Sequence, residues 1–149
     1  MKRWVTLDVG ENSLHLQIDK AYPNVLTGGD PGRIEKTARY LNNCQFARNR
    51  GFVTVHGTYK CMSVTAFSTG IGVGSVSATL PEVIEACDDP NMNIIRIGTA
   101  GGLQNYLCKG DFVVTTTAVP TKTAGETVMG SDYKAVSSPL VTGAIEEAA

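Results

Sequence analysis

The chain has 149 residues, 42% of them apolar, with 13 basic against 14 acidic side chains and a net charge of -1 at pH 7. That is one domain, residues 1–149, with enough apolar surface for a real core. The absence of a Lys/Arg run or a long apolar run argues against nucleic acid, anionic membrane surfaces and a bilayer span as partners. Cys44, Cys61, Cys87 and Cys108 are too far apart for a CxxC pair, and no apolar leader follows Lys2 and Arg3, so they read as free thiols of a cytoplasmic protein.

In chain order, Leu14, Leu16 and Ile18 alternate weakly, which predicts an edge strand reaching about Lys20 with His15 between its apolar neighbours. His15 alone reads as a solvated strand residue. Val25 and Leu26 make a short strand, and Gly28 and Gly29 a turn. Asp30 stands where an N-cap belongs, and Pro31 takes the first helical position, where its missing N–H costs nothing. Ile34, Ala38 and Leu41 give that helix its buried stripe. Arg33 lies in its first turn, where a cation opposes the helix dipole unless an anion binds there.

Residues 45–67 read as strands through Phe52, Val53, Val55, Tyr59, Met62, Val64 and Phe67, with Gly57-Thr58 as the expected hairpin turn. Arg48 and Arg50 read as loop residues before the first of these strands, and His56 has no visible partner. Residues 68–75, Ser-Thr-Gly-Ile-Gly-Val-Gly-Ser, form a second glycine-rich turn from strand to helix. The helix is striped by Val76, Leu80, Val83, Ile84 and Cys87, and Pro81 within it predicts a kink or break near residue 77.

Asp88-Asp-Pro-Asn then leads into residues 94–102, Ile-Ile-Arg-Ile-Gly-Thr-Ala-Gly-Gly, a pattern of a buried strand running into a tight turn. Arg96 interrupts the apolar run. A lone guanidinium cannot enter a dry core unpaired. It either pairs with a carboxylate across the sheet or projects beside the turn toward an anion, which the glycines let backbone N–H groups approach. Residues 110–119 predict a further strand, the chain after Pro120 is polar and irregular to Ser138, and Leu140, Val141, Ala144 and Ile145 stripe a last helix. The pattern stops at Ala149 without a C-terminal helix signal, as if cut short. Strands alternating with helices across three glycine turns argue for an α/β sheet with its ligand site beyond the strand ends.

Four motifs, Gly29-Asp30-Pro31-Gly32-Arg33, Ser68-Thr69-Gly70-Ile71-Gly72, Arg96-Ile97-Gly98-Thr99-Ala100-Gly101 and Gly110-Asp111-Phe112-Val113-Val114, stand in an order and spacing that resemble the nucleoside phosphorylase family, in particular its uridine phosphorylases. The resemblance covers the N-terminal part of that family. It implies a mixed central sheet flanked by helices. It also implies phosphorolysis of a nucleoside to ribose 1-phosphate and free base, with orthophosphate as co-substrate and no cofactor. By the same resemblance Gly29, Arg33, Arg96 and Thr99 bind phosphate, Arg96 and Thr99 are catalytic, and Thr99 also lies near the ribose. Arg50 completes the phosphate site from a neighbouring subunit, and His15 reaches the partner's ribose, so a homodimer is implied. Gly51 replaces an acidic residue that helps some bacterial members hold a monovalent cation, so no metal is expected. The family's base-recognition residues lie beyond this chain. A non-catalytic phosphate-binding or pairing module is the alternative reading, and a purine nucleoside substrate a further one. A hydrolytic nucleosidase fits less well, because it lacks the Gly-Asp-Pro-x-Arg loop. A dinucleotide-binding domain also fits less well, because no GxGxxG is present.

Overall fold

The computed structural model describes residues 14–119 and 133–149. They fall into two compact units that divide between Gly98 and Thr99.

The first unit is built on a five-stranded sheet of β1 (Asn24–Gly28), β2 (Asn42–Asn49), β3 (Phe52–Tyr59), β4 (Met62–Ser68) and β5 (Asn93–Arg96), in the order β2-β3-β4-β1-β5. Strands β2, β3 and β4 form an antiparallel meander. Strand β1 is parallel to both β4 and β5, with Gly28 opposite Ser68 and Thr27 opposite Arg96. The sheet is therefore mixed, as the resemblance implies. Side chains alternate across its faces, and adjacent β4 residues serve two different cores. Ala66 joins Ile34, Val53 and Val55 under helix α1 (Pro31–Thr37), whereas Phe67 joins Val25, Leu16, Ile18 and Ala21 under Val83 of helix α2 (Val73–Glu85).

Helix α1 starts as its sequence dictates. Asp30 is the N-cap, its carboxylate accepting from Gly32 N–H at 2.9 Å, and Pro31 follows. The helix is shorter than its stripe suggested. Ile34 is buried in it, but Ala38 is the C-cap, and Leu41 packs on the same cluster from the connection to β2.

Several expectations are corrected. Residues 14–20 form bends, not an edge strand: Leu16 and Ile18 are buried, yet Gln17 has φ 52 and the backbone finds side-chain partners in place of a ladder. Gly57 is inside β3 and not in a turn. A Cβ there would lie 2.9 Å from Leu41 Cβ and 3.1 Å from Asn42 O, so the glycine serves close packing, and the hairpin turns at Lys60 and Cys61. The segment containing Arg48 is strand β2, paired to β3 from Gln45 to Asn49 and, past an irregularity at residues 43–44, at Asn42, and Arg48 pairs with Glu35.

Helix α2 runs without a break through residue 77, contrary to expectation, with Pro81 in its interior. Its buried residues are Thr79, Glu82 and Val83, and Ile84 is 49% exposed. Among the described residues β5 lies at the edge of the sheet, paired to β1 alone, and Ile94 in it and Ile97 after it are exposed, not buried.

His56, for which the sequence offered no partner, is buried. Its Nδ1 lies 3.0 Å from Thr65 Oγ1, the Tyr22 ring stands edge-on at 5.7 Å, and Nε2 has no hydrogen-bond partner among the described residues. Desolvation lowers its pKa from the ordinary 6.5, and the charge of Asp19 opposes that in part. The folded state thus holds its proton less tightly than the unfolded chain. Stability from this group is complete above pH 6.5 and is lost as pH falls below it, where unfolded chains take up a proton that the fold resists. Urea midpoints measured from pH 8 to 5 are expected to fall over the acid part of that range, and to fall less steeply in His56→Leu; equal slopes would contradict the assignment.

In the second unit, β6 (Thr117–Ala118) pairs antiparallel with β7 (Ala135–Val136), and α3 (Pro139–Ala148) is capped by Ser138. Residues 111–116 are not strand, contrary to expectation. Strand propensity expresses fit to a paired, half-buried surface, and Phe112 is 93% exposed. No residue of α3 is buried, and Leu140, expected in its buried stripe, is 79% exposed. The stretch between Pro120 and residue 132 lies outside the described residues.

Candidate functional site

Three parallel strands end side by side at Gly28, Ser68 and Arg96, and each runs directly into one of the glycine turns. The turns are stitched together by backbone bonds that continue the sheet: Thr69 N–H donates to Gly28 O at 2.8 Å, and Ile97 N–H to Thr27 O at 2.7 Å. Glycine is required where these loops touch. A Cβ on Gly28 would stand 3.0 Å from Ile97 O, and one on Gly29 3.0 Å from Gly70 O.

Gly70 has φ +66, and a Cβ there would meet Ser75 Oγ at 2.6 Å, a hydroxyl that itself donates to Thr69 O. Gly70→Ala combines a left-handed backbone with a clash. It is expected to lower unfolding free energy by about 1–3 kcal/mol in urea titrations.

Two cations converge on this end of the sheet. Arg33, from the first turn of α1, donates from Nη1 to Ile97 O at 3.3 Å. Arg96 turns back along the strand end, so that Cβ positions on Gly98 and Gly29 would lie 3.0 Å from its Nη1 and 3.8 Å from its Nη2. Both guanidinium groups thus border the 97–98 peptide. Among the described residues neither has a carboxylate within salt-bridge distance, in contrast to Arg48 with Glu35 and His15 with Glu82. The sequence left open a carboxylate partner for Arg96; the described residues supply none. Two uncompensated like charges held together repel each other, and an anion between them reverses the sign of that interaction. Guanidinium forks match the paired oxygens of phosphate. The Asp30 carboxylate already takes the Gly32 N–H at the start of α1.

The remaining candidates lie elsewhere. Thr99 is the first residue of the second unit, three positions after Arg96 in the chain. Arg50 and Gly51, with φ 49 and 84, form the two-residue turn between β2 and β3. Both central residues of such a tight hairpin take positive φ, and glycine supplies the second cheaply. Arg50 is exposed there, at the same end of the sheet as the glycine turns. Strands lie about 4.8 Å apart, so the three steps from β3 to β5 put its backbone roughly 14 Å from that of Arg96.

His15 sits beside the same hairpin. Its carbonyl accepts from Asn49 Nδ2 at 3.1 Å, and its ring meets Phe52 edge-on at 6.5 Å. His15 and Arg50, paired by the sequence reading only through resemblance, are thus neighbours in the fold, displaced along the sheet from Arg33, Arg96 and Gly29. Glu82, which bonds the His15 ring at 2.7 Å, was not singled out from sequence. The available signal was a carboxylate between Leu80 and Val83 on the apolar side of α2.

The strand ends and loops define an α/β domain in which β1, β4 and β5 end together at glycine turns bordered by two arginines. A family model of the phosphorylase superfamily matches residues 23–148, and the chain belongs to that superfamily. The uridine phosphorylase of Treponema pallidum (strain Nichols) is 32% identical over 126 residues, a match covering 84% of this chain and 48% of that protein. The purine nucleoside phosphorylase of Plasmodium vivax (strain Salvador I) is 29% identical over 144 residues, covering 94% of this chain and 58% of that one. The crystal structure of uridine phosphorylase from Vibrio fischeri ES114 superposes with a TM-score of 0.82 at 25% identity, covering 91% of this chain and 56% of the other. The chain spans about half the length of the curated relatives it matches.

Proposed function

We propose that this chain contributes the phosphate half of a nucleoside phosphorylase, acting on uridine. The observation that carries the reading is the pair of arginines, Arg33 and Arg96, at the glycine-lined ends of β1, β4 and β5 with no carboxylate to neutralise them among the described residues. In the reaction, an oxygen of orthophosphate forms a bond to ribose C1′ while the C1′–N bond breaks. The electron pair leaves with the base, which takes a proton from solvent. Positive charge develops on the ribose as the old bond lengthens, as in other glycosyl transfers.

The roles divide by position. Arg33 and Arg96 hold the phosphate from below, and the bare backbone of Gly29 lets it approach. Thr99, close along the chain, contributes a hydroxyl to phosphate and ribose. Arg50 stands beside His15 at the β2–β3 hairpin, displaced along the sheet from Arg33 and Arg96. That placement supports a homodimer in which Arg50 completes the partner's phosphate site and its neighbour His15 reaches the partner's ribose. The reading needs no cofactor, and the unbridged thiols of Cys44, Cys61, Cys87 and Cys108 support a cytoplasmic setting.

A purine nucleoside is the second reading, favoured by the match to a purine nucleoside phosphorylase over 94% of this chain. The test is release of free base from uridine and from inosine, each with and without orthophosphate. Phosphate-dependent release from uridine in preference to inosine is expected. The reverse preference selects the purine reading, and phosphate binding with no release from either gives a non-catalytic module.

A further inference from the structure

Among the described residues the segment carrying His15 has no strand partner, yet it is held at many points, and Glu82 supplies three of them. Glu82 Oε1 accepts from His15 N–H at 2.8 Å and lies 2.7 Å from His15 Nδ1, while Oε2 accepts from Leu16 N–H at 2.8 Å. Asn49 Nδ2 fixes the opposite side, donating to Leu14 O at 2.9 Å and His15 O at 3.1 Å. The Glu82 side chain is 8% exposed and that of His15 31%.

A carboxylate enters such a site at a large desolvation penalty unless its lone pairs are used. The two backbone N–H groups would serve to anchor the segment. The bond to the ring does something more. A carboxylate only accepts, so the Nδ1 facing it must carry the proton, and in the neutral ring Nε2 is then left with its lone pair.

We propose that Glu82 is a positioning residue for His15: it fixes the Nδ1–H tautomer and offers Nε2 as the acceptor for a hydroxyl group of the nucleoside. The identification of that hydroxyl as the ribose 5′-hydroxyl rests on the phosphorylase reading; the tautomer does not. An accepting Nε2 favours a ligand with an O–H to donate. A substrate lacking the 5′-hydroxyl leaves the nitrogen unmatched.

Two measurements on the full chain separate these levels. Long-range nitrogen–proton correlation spectra of the His15 ring at pH 8 are expected to show Nδ1 protonated and Nε2 bare. In Glu82→Leu, which removes the acceptor, the balance should move toward the Nε2–H form, which free histidine prefers. A wild-type ring protonated at Nε2, or a folded Glu82→Leu with an unchanged tautomer, overturns the proposal. Should the variant fail to fold, the wild-type spectrum decides.

The second measurement compares kcat/KM for uridine and 5′-deoxyuridine. One neutral hydrogen bond predicts a preference for uridine of about 3- to 10-fold, shrinking toward parity in Glu82→Leu. A preference that survives the substitution overturns the positioning role. Absence of phosphorolysis with either substrate, beside the expected tautomer, removes the nucleoside reading and leaves the Glu82 to His15 coupling standing.

Discussion

Arg96→Ala is expected to lower kcat/KM for phosphate-dependent uracil release by about 10²- to 10³-fold, the usual consequence of removing one charged donor from a preorganised anion site. The loss should fall on both the phosphate KM and kcat, because the same fork that binds the ground-state ion also holds it as its charge is drawn toward the ribose. Arg96→Lys should recover only part of it. An ammonium keeps the charge but not the two parallel N–H bonds. The fold supplies a clean control: Arg96 is exposed at the end of an edge strand and takes no part in either core. Its removal also relieves repulsion with Arg33, so the urea midpoint should stay put or rise slightly. An Arg96→Ala variant with unchanged phosphate KM and kcat would remove the arginine pair from the mechanism, whatever the family relationship.

How far the site was legible depended on the kind of signal each residue gives. Glycine turns and the Asp30-Pro31 cap are local, since their backbone geometry is dictated within four residues, and they stand where the sequence placed them. Arg96 was visible because a charge in an apolar run needs a reason, and Arg33 because a cation in a first helical turn does. Strand β2 was hidden by its polar composition, Asn-Asn-Cys-Gln-Phe-Ala-Arg-Asn, because as the outer strand of a meander it needs pairing with β3 more than it needs burial.

Gly57 was misread for the opposite reason: a glycine demanded by a neighbour 2.9 Å away looks in sequence the same as one demanded by a turn. Glu82 and His15 are 67 residues apart, and no pattern within either helix or loop announces their contact. Residues 111–116 have the composition of a strand, but composition does not supply a partner.

Phe67→Ala is expected to be among the most damaging core substitutions, lowering unfolding free energy by about 3–5 kcal/mol. The ring is fully buried, enclosed by Leu16, Ile18, Ala21, Val25 and Val83, residues drawn from three separate stretches of chain. None can follow it inward without giving up its own contacts, so the cavity persists. A domain of ordinary stability has only about 5–15 kcal/mol in total.

The damage should also be uneven. Phe67 O accepts from Thr27 Oγ1 at 3.0 Å, and the next two residues lead into the turn whose Thr69 N–H bonds Gly28 O. Loss of the ring therefore loosens the seam between β1 and β4 where the arginines are presented. Amide hydrogen exchange should report this as lost protection at Thr69 and Ile97 before the β2–β3 hairpin opens. Tyr40→Ala, at a position 76% exposed, serves as the comparison and should shift the urea midpoint little. If Phe67→Ala shifts it no further than Tyr40→Ala, that core is not what holds the two strand ends together. In that case a weakened phosphate site in the same variant could not be ascribed to them.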